Sequence, residues 1–318
     1  DDDGVLIEVG ACALNATDIN TRVGWYAIDD DNGAWDAPIS FPRIQGADVC
    51  GRVVARGKAV PSELLGRRVV VDPWVRDDER PLDLTRCRYL GSELDGGYAE
   101  YVAVPARNSY PVESAMSDVE LASFATAFGT ALNMVRRAGV QPGQDVLVTG
   151  ASGGVGDALI QFVGLAGARS IGLCHPAKAD VVRASGAAVT IDRTADLTEA
   201  LLARTGRNEV DCILDVVGGE RWPDLIRVLA RGGTYAVAGA IAGPWVPLDL
   251  RTLYLRDLTF VGVTVTPPGL FADLVRHVER GEVRHVVSGV YTFDHVHDAQ
   301  RAFADRRRTG KLVLHGWS

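Results

Sequence analysis

The chain has 318 residues, of which 47% are hydrophobic and 23% are charged, and its formal net charge is −8 at pH 7. This composition is typical of a globular enzyme of about two domains, and the acidic balance argues against a dedicated nucleic-acid or anionic-membrane binder. No run is long and apolar enough to span a bilayer, and no signal peptide opens the sequence. The five cysteines lie far apart without a C-x-x-C pair, which predicts a reduced, cytoplasmic protein.

The first third of the sequence has the pattern of a β-rich domain. Short apolar or alternating runs between glycines and prolines predict four strands, at 5–9, 49–54, 68–71 and 98–104. The acidic, turn-rich stretch Ala27–Ser40 predicts an exposed loop. Its Trp35 could line the entrance of a site, but packing on its own loop is the expected role.

From Ser117 onward the hydrophobic period becomes that of alternating strands and helices. Ser117 predicts a helix N-cap, and Glu120, three residues later, completes a capping box. Six buried strands are predicted, at Val146–Thr149, Ser170–Cys174, Ala188–Ile191, Cys212–Val217, Thr234–Ala238 and Thr259–Val263. Because helices lie between the first five strands, the sequence predicts an α/β fold with a doubly wound, parallel six-stranded sheet.

The last part of the chain returns to a strand–helix–strand pattern that is expected to rejoin the first domain. The predicted domains are therefore 1–116 with 284–318, and 117–283. The run Arg306–Arg308 predicts a solvated helix end that complements the helix dipole. The apolar sixth strand, Leu258–Val265, is the edge at which a homodimer is expected to form.

A glycine-rich turn lies between the first strand of this alternation and the helix that follows it. Its residues read TGASGGVG at 149–156, with Gly153 and Gly156 at the second and third glycines of G-x-G-x-x-G and Ala151 at the first. Glycine lets the backbone approach a pyrophosphate, and the helix N-terminus offers free N–H groups and a positive dipole end. A glycine turn alone is weak evidence, but between a strand and a helix it predicts a dinucleotide site.

Four motifs together resemble the medium-chain dehydrogenase/reductase superfamily over nearly the whole chain: GADVCGRVVARG (46–57), DGGYAEYV (95–102), TGASGGVG (149–156) and GKLVL (310–314). The resemblance implies a GroES-like catalytic domain beside a Rossmann dinucleotide-binding domain. It also implies a further strand segment, which members of the family carry ahead of the position of Val5. Within the superfamily, NATDINTRVGWY (15–26) is most similar to the zinc-free quinone oxidoreductase branch, at Asn15, Asp18, Arg22, Gly24 and Tyr26.

The zinc-dependent branch of that family gives the sharpest contrast. It places a Cys and a His-Glu pair at positions that Asn15 and Ala47-Asp48 occupy in this sequence. Its structural zinc needs four closely spaced cysteines, whereas the corresponding lobe, 72–97, contains only Cys87. Because zinc requires thiolate, imidazole or carboxylate ligands that converge in tetrahedral geometry, a metal-free enzyme is predicted.

The end of the second strand of the predicted Rossmann domain bears on the choice of cofactor. NAD-binding folds place an acid about 20 residues past the glycine turn, but Leu173–Pro176 contains none. Lys178 follows, where the resembling reductases place a lysine against the 2′-phosphate, and His175 and Arg193 are weaker candidates. The absence of a repulsive carboxylate and the nearby cation favour NADPH.

The predicted cofactor site gathers residues from several strand ends. Thr130 matches a threonine that packs near the nicotinamide in the family, and the residues after the fourth and fifth strands lie where such sheets bind ligands. The full predicted set is Thr130, Gly150, Ser152, Gly153, Gly154, Val155, Gly156, His175, Lys178, Arg193, Val217, Gly239, Ala240 and Ile241.

The predicted chemistry follows from the absence of zinc ligands. An alcohol–ketone conversion would lack its Lewis acid, whereas hydride addition to a quinone or enone places charge on an oxygen that needs only hydrogen-bond donors. The carboxamide of Asn15 and the phenol of Tyr26 are the predicted catalytic donors. Asp18 and Arg22 are expected to form a structural pair on one helical turn.

Three functions remain open on the sequence alone. The leading one is an NADPH-dependent, zinc-independent reductase of a small-molecule quinone or enone. The second is an enzyme of a specialised pathway that makes a rearranged or cyclised small molecule on the same fold. The third is a low-turnover NADP(H)-binding scaffold or a weak nucleic-acid binder, and the acidic net charge opposes binding to nucleic acid.

Overall fold

The computed structural model describes residues 1–26, 39–305 and 309–316. Trp35 with most of its predicted loop, and the basic run Arg306–Arg308, lie outside the described residues. The chain divides into two compact units, one formed by Asp1–Gly129 with Val265–Ser318 and the other by Thr130–Thr264. Among the described helices, none combines the length and the apolar character that a membrane span requires.

The strands in the described part of the chain are β1 (Gly4–Ala13), β2 (Asp48–Arg56), β3 (Arg68–Val71), β4 (Trp74–Val75), β5 (Arg88–Tyr89), β6 (Tyr101–Pro105), β7 (Ser109–Pro111), β8 (Asp145–Val148), β9 (Arg169–Cys174), β10 (Val189–Asp192), β11 (Val210–Asp215), β12 (Leu229–Val237), β13 (Thr259–Gly262), β14 (Val287–Tyr291) and β15 (Lys311–His315). The helices are α1 (Ala16–Arg22), α2 (Asp118–Leu121), α3 (Ala125–Ala138), α4 (Gly154–Leu165), α5 (Ala179–Ala184), α6 (Leu197–Thr205), α7 (Trp222–Arg227), α8 (Leu250–Leu255), α9 (Leu270–Glu279) and α10 (Val296–Ala304).

A largely antiparallel sheet forms the centre of the unit that contains both ends of the chain. Its order is β14-β15-β1-β2-β3-β7, and β6 also pairs with β1. Val5, Ile7 and Val9 alternate with more exposed residues along β1, so that one face of this strand is buried in the core. β14 and β15 come from the C-terminal segment and join this sheet beside β1.

The register of this sheet brings three distant positions of the sequence together. Ala13, at the end of β1, pairs with Asp48 on one side and with Val313 on the other. Lys311 is the first residue of β15, and Asn15 follows β1 and precedes α1. Residues that are almost the whole chain apart in sequence therefore meet at one end of three neighbouring strands.

The sheet of the other unit is parallel and has six strands in the described residues, in the order β10-β9-β8-β11-β12-β13. This is the order of a doubly wound dinucleotide-binding sheet, with its switch point between β8 and β11. Leu147, Ile171 and Ile213 are completely buried, as expected for parallel strands covered on both faces. The predicted α/β fold is confirmed, although β11 ends at Asp215 and not at the predicted Val217.

The boundaries between the units differ from the predicted ones, which lay at 116/117 and 283/284. The capping box of Ser117 and Glu120 is confirmed, but the α2 helix that it begins belongs to the first unit, where the carboxylate of Asp118 lies against Gly10. Phe271 of α9 packs on Tyr110 with ring centroids 5.0 Å apart. These contacts move the first boundary later in the sequence and the second one earlier.

Candidate functional site

Asn15 and Asp18 form a buried corner where the chain passes from β1 into α1. Asn15 is 6% exposed, and its backbone N–H donates to Oδ2 of Asp18 at 2.7 Å. The hydroxyl of Tyr98 donates to the same oxygen at 2.8 Å. Burial raises the pKa of the Asp18 carboxyl to about 6, against the lowering effect of these two hydrogen bonds. Asp18 therefore holds Asn15 through its backbone N–H, while the Asn15 carboxamide also contacts a residue from outside α1.

Lys311 is the partner of that carboxamide, and the sequence analysis did not identify it as a site residue. Its Nζ donates to the carbonyl oxygen of Leu14 at 3.0 Å, to Oδ2 of Asp48 at 2.9 Å and to Oδ1 of Asn15. Lys311 is 3% exposed and Asp48 is completely buried, so the two form an ion pair inside the protein. We call Asn15, Asp48 and Lys311 the Lys311 cluster. The available sequence signal was GKLVL, in which a charged residue begins an apolar strand.

The chemistry of the donors fixes which end of the Asn15 amide faces Lys311. An ammonium group can only donate hydrogen bonds, so it selects the amide oxygen Oδ1. The amide nitrogen Nδ2 is the other end of the group, and it is buried without a hydrogen-bond partner among the described residues. A buried unpaired donor costs about 1–3 kcal/mol, and the oxygen of a ligand would relieve that cost.

The second carboxylate oxygen of Asp48 is fixed by the beginning of α3. Oδ1 accepts from the backbone N–H of Thr126 at 2.7 Å and from its hydroxyl at 2.5 Å. The Thr126 hydroxyl also lies 2.8 Å from the hydroxyl of Tyr89, whose ring packs on Trp74 with centroids 4.7 Å apart and planes at 68°. Both oxygens of Asp48 are thus satisfied, and an aromatic pair borders the Lys311 cluster.

Tyr26, the second predicted catalytic donor, contacts Asn20 and lies within electrostatic range of Tyr89. The side-chain amide of Asn20 donates to the Tyr26 hydroxyl at 3.2 Å, and Tyr26 is partly exposed. Burial raises the pKa of Tyr89 well above its usual value, and the charges of Asp48 and Tyr26 add to the shift. Tyr89 is therefore within electrostatic range of both Asp48 and Tyr26.

The predicted pairing of Asp18 with Arg22 is wrong. Asp18 is 2% exposed and takes its hydrogen bonds from Asn15 and Tyr98, whereas Arg22 is exposed and donates from Nη1 to Oε1 of Gln300. The spacing along α1 allows a pair, but α1 buries Asp18 and leaves Arg22 at the surface.

The residues around Asn15 do not fit a zinc ion. Within 1–26, 39–305 and 309–316, no three His, Cys, Asp or Glu side chains converge as metal ligands would. Nζ of Lys311 also places a positive charge between Asn15 and Asp48. A second cation at this position would be repelled strongly in a buried, low-dielectric environment. We therefore derive no step of the reaction through a metal.

His285 is a second buried titratable group in this unit. Its Nδ1 lies 2.9 Å from the carbonyl oxygen of Ser123, and because a carbonyl only accepts, Nδ1 carries the proton. Nε2 is buried without a partner in the described part of the chain, and the ring meets Phe128 with centroids 4.9 Å apart. Burial, aided by the charge of Lys311, lowers the pKa of His285 to about 4. His285 is therefore neutral at physiological pH.

The predicted glycine turn joins β8 to α4 in the other unit. The predicted residues Gly150, Ser152, Gly153, Gly154, Val155 and Gly156 lie together in this turn and in the first turn of α4. Gly150 has φ +57°, and a Cβ on Gly156 would overlap the Gly150 carbonyl oxygen and lie 2.7 Å from Cα of Ala151. The N-terminus of α4 presents N–H groups that have no acceptor within the helix. This backbone arrangement fits a pyrophosphate.

A buried carboxylate that the sequence analysis did not identify holds the loop beside that turn. Asp215, at the end of β11, accepts from the hydroxyl of Thr149 at 2.5 Å, from the hydroxyl of Tyr235 at 2.6 Å and from the backbone N–H of Val217 at 2.8 Å. Val217 in turn lies 3.1 Å from the position of a Cβ on Gly150. Asp215 therefore fixes the chain that flanks the glycine turn.

The strand ends on this side of the sheet gather further predicted residues. A Cβ on Gly239 would lie 3.1 Å from the carbonyl oxygen of Val216, and one on Gly218 would lie 3.3 Å from Ala240. Ile241 follows them and is 50% exposed. Together with Val217, the predicted residues Gly239 and Ala240 thus lie beside the loop that flanks the glycine turn. Thr130 is partly exposed within α3 and is the first residue of its unit.

A predicted cation follows β9, and an unpredicted acid ends the neighbouring strand β10. His175 is exposed, and its Nδ1 accepts from the backbone N–H of Ala177 at 3.2 Å, so that it caps a short turn before the partly exposed Lys178. The exposed Arg193 follows β10, and its backbone N–H donates to the Cys174 carbonyl oxygen at 3.0 Å. Asp192, at the end of β10, interacts with the charges of His175 and Arg193. The spacing rule placed the expected acid at the end of β9, so this carboxylate at the end of β10 was not predicted.

Models of known protein families match both the N-terminal and the C-terminal part of the chain. A model of the alcohol dehydrogenase GroES-like domain matches residues 1–114, and a model of zinc-binding dehydrogenases matches residues 154–280. A crystal structure from Sinorhizobium meliloti 1021, provisionally named an alcohol dehydrogenase, is 42% identical with a TM-score of 0.92, covering 99% of this chain and 89% of that one. The 2-methylene-furan-3-one reductase of Solanum lycopersicum is 31% identical over 99% of this chain and 72% of its own length.

A third similar protein was solved with ligands. The 2-octenoyl-CoA carboxylase reductase CinF, in complex with NADP and 2-octenoyl-CoA, is 27% identical with a TM-score of 0.85, covering 99% of this chain and 79% of that one. Further matches carry the names of a quinone oxidoreductase-like protein and of NAD-dependent alcohol dehydrogenases. The similar proteins thus include reductases of conjugated carbonyl compounds as well as alcohol dehydrogenases.

Proposed function

Because the chain belongs to the medium-chain dehydrogenase/reductase superfamily, whose members are oxidoreductases, we propose that it is an NADPH-dependent reductase that transfers hydride to a quinone or an α,β-unsaturated carbonyl compound without zinc. The observation that carries this proposal is the buried Nδ2 of Asn15, which has no partner among the described residues. A neutral N–H donor suits the oxygen of an enolate or a hydroquinone anion. It would not replace the Lewis acid on which zinc-dependent alcohol oxidation relies.

The chain's own residues would stabilise the charge that hydride addition creates. NADPH, when bound, would supply a hydride to the β-carbon of an enone, and the negative charge of the resulting enolate would be shared by the α-carbon and the carbonyl oxygen until the α-carbon takes a proton from water. Nδ2 of Asn15 would donate to that oxygen, and the Tyr26 phenol would give a second polar contact. The partly exposed ring of Tyr26 would also suit a flat conjugated substrate by stacking.

The primary experiment measures NADPH consumption by the purified protein with a panel of quinones and enones, together with simple alcohols and NAD⁺. We expect turnover of quinones or enones and none of the alcohols. Asn15→Asp keeps the contact to Lys311 through a carboxylate oxygen but removes the Nδ2 donor. We expect this substitution to raise the activation free energy of turnover by about 1–2 kcal/mol. Oxidation of simple alcohols without reduction of any enone or quinone would contradict the proposal and favour the alcohol dehydrogenase relatives.

The choice of NADPH rests on the surroundings of the β9 end. Burial raises the pKa of Cys174, the last residue of β9, and the charge of Lys178 is near enough to offset part of that rise. Asp192 is engaged by the N–H and hydroxyl of Thr194 at 2.9 Å each. Lys178→Ala should weaken NADPH binding by about 1–3 kcal/mol and spare NADH, because only NADPH carries the 2′-phosphate. Titration of both cofactors by fluorescence checks this expectation. Equal losses for both cofactors would mean that Lys178 does not contact the phosphate.

Zinc independence is tested on the same preparation. The proposal predicts less than stoichiometric zinc by elemental analysis and unchanged activity after chelation, because Lys311 supplies the positive charge between Asn15 and Asp48. About one zinc per chain, lost together with activity, would contradict it.

We also propose a homodimer that forms at β13, the edge strand of the six-stranded sheet. The segment before this strand exposes large apolar side chains, with Trp245 at 87%, Leu250 at 65% and Tyr254 at 63%. Apolar surface of this kind at a sheet edge is a common subunit contact. Light scattering should give twice the chain mass, and Trp245→Lys should shift the protein towards the monomer. A wild-type protein that remains monomeric at micromolar concentration would contradict this proposal.

A cytoplasmic location is the remaining proposal. Cys12, Cys50, Cys87, Cys174 and Cys212 are all free thiols and all buried. Free thiols without disulfides are typical of reducing compartments. Fractionation of the source cells checks the location, and recovery of the protein outside the cytoplasm would contradict it.

A further inference from the structure

The Lys311 ammonium is saturated by the three acceptors that surround it. An ammonium group has three N–H donors. In this structure they go to the carbonyl oxygen of Leu14, to Oδ1 of Asn15 and to Oδ2 of Asp48. We propose that Lys311 is a positioning residue, which locks the carboxamide of Asn15 so that Nδ2 is presented to the oxygen of the substrate. This inference deepens the proposed function and rests on it.

The Asn15 amide needs to be held in one orientation because the two ends of an asparagine amide are similar in size. If the amide turned over, its NH₂ group would face the N–H donors of Lys311, and donor against donor is repulsive. Without Lys311 this barrier disappears. In a protein that lacks both Lys311 and Asp48, neither charge selects the orientation of the Asn15 amide. The amide could then present its oxygen to the substrate, and an oxygen acceptor repels an enolate.

The frame that carries Lys311 is itself rigid. Asp48 is held on its other oxygen by the backbone N–H and the hydroxyl of Thr126. Lys311 and Asp48 begin two strands that flank the end of β1, and Leu14 and Asn15 follow that end directly. Because the three acceptors come from this one sheet corner, the ammonium has one position that satisfies all of them.

The ammonium also strengthens the donor that it orients. A hydrogen bond from a cation to the amide oxygen polarises the amide, and such linked hydrogen bonds strengthen one another. The N–H groups on Nδ2 become better donors as a result. The Asp48 carboxylate balances the charge of Lys311, so the cluster offers a directed dipole without a net charge.

The test separates positioning from structural support by comparing turnover in four proteins. The background change is the double variant Lys311→Met/Asp48→Ala, which removes both charges together, because a buried pair replaced as a unit is often tolerated. It is measured with and without Asn15→Ala, beside the wild type and Asn15→Ala alone. Thermal melting confirms that each protein is folded at the assay temperature, and fluorescence titration measures its NADPH affinity.

We expect the charge-pair variant to lower kcat for an enone by roughly tenfold, with KM and NADPH affinity within about twofold of the wild type. We expect Asn15→Ala to lower kcat by a similar factor. In the protein that carries all three substitutions, the loss should equal that of Asn15→Ala alone, because Lys311 acts through Asn15.

Two results would overturn the inference while leaving the proposed function intact. One is a charge-pair variant that reduces the enone at the wild-type rate. The other is a triple variant whose losses multiply, since this would show that Lys311 acts independently of Asn15. Failure of the proposed function is recognised separately, because the wild-type protein itself would then reduce no quinone or enone.

Discussion

The two candidate sites of this protein differ in the groups that form them, which are backbone groups in one site and side chains in the other. The glycine turn between β8 and α4 is a backbone site, in which positive φ at Gly150 and the missing Cβ of Gly156 let the chain fold closely on itself. The Lys311 cluster is a side-chain site, in which a buried ammonium and a buried carboxylate hold an amide. The first site offers backbone N–H groups, which do not depend on particular side chains. The second site depends on three particular side chains.

This difference sets where each site is vulnerable. A backbone site tolerates many side chains but no added atom at a close approach. A site made of buried charges tolerates added atoms poorly. It tolerates the removal of a charged group even less, because the partner charge is then left unpaired. The following predictions test this contrast, beginning with the largest expected effect.

Removal of Lys311 should be the most destabilising of these changes. Lys311→Met leaves the carboxylate of Asp48 buried without its cation, and loss of one partner of a buried ion pair costs about 3–5 kcal/mol. The matched control is Lys58→Met, because Lys58 pairs with Asp2 at 2.9 Å on the surface, with side chains 80% and 64% exposed. Exposed pairs contribute at most about 1 kcal/mol. Chemical denaturation measures both changes, and equal effects of the two substitutions would contradict the expectation.

An added methyl group should damage the glycine turn by a somewhat smaller amount. Gly156→Ala places a Cβ against the Gly150 carbonyl oxygen, and overpacking against backbone costs about 2–3 kcal/mol. The cofactor should bind more weakly as well. Gly164→Ala in the same helix is the control, since nothing lies within 4 Å of its added Cβ and alanine favours a helix by about 0.5–1 kcal/mol. A Gly156→Ala protein as stable as the control would mean that the turn relaxes freely.

The same contrast explains what could be predicted from the sequence. The glycine turn was predictable because strand, turn and helix are consecutive, so that spacing alone carries the geometry. Asn15 and Tyr26 were found through a contiguous motif that resembles a known branch. Lys311 was not found, because it meets Asn15 only after β15 pairs with β1, and no local pattern encodes that register.

Burial was the other property that the sequence did not reveal. Asp18 was expected to pair with Arg22 four residues later, but a helix of seven residues that buries one and exposes the other cannot form that pair. Asp215 likewise was predicted only as part of the strand Cys212–Val217, and it accepts hydrogen bonds from Thr149, directly after β8, and from Tyr235 of β12. Both misses concern carboxylates that accept a hydrogen bond from a tyrosine distant in sequence, Tyr98 for Asp18 and Tyr235 for Asp215.

Two buried titratable groups near the Lys311 cluster should give opposite dependences of stability on pH. The pKa of Asp18 is raised from 3.8 to about 6, so the folded protein binds more protons than the unfolded chain between these values, and stability falls as the pH rises through them. The pKa of His285 is lowered from 6.5 to about 4, so stability falls as the pH drops through that window. In the wild type the two effects largely offset each other.

Single substitutions should therefore tilt the pH profile in opposite directions. Asp18→Asn leaves His285 unopposed, and the free energy of unfolding should drop by about 1–3 kcal/mol between pH 6.5 and pH 4 relative to the wild type. His285→Asn, whose amide can still donate to the Ser123 carbonyl, should instead make the protein gain stability on acidification. Urea denaturation across this range measures both slopes. Parallel profiles for the two variants would contradict the assigned shifts.

The smallest expected effect concerns Tyr26, whose hydroxyl accepts a hydrogen bond from Asn20 at 3.2 Å on the partly exposed side of the site. Tyr26→Phe should raise the activation free energy for enone turnover by about 1 kcal/mol, which is less than the increase expected for Asn15→Asp. The reason is that water can replace an exposed donor but not a buried one. Tyr101→Phe, at a tyrosine that is 49% exposed on β6, should leave kcat unchanged. If Tyr26→Phe also leaves turnover unchanged on every accepted quinone and enone, Tyr26 only lines the site, and the buried amide of Asn15 is then the sole donor of the proposed pair. A loss as large as that of Asn15→Asp would instead show that the phenol is shielded from water when substrate is bound, and that the contrast between a buried and an exposed donor does not survive in the working enzyme.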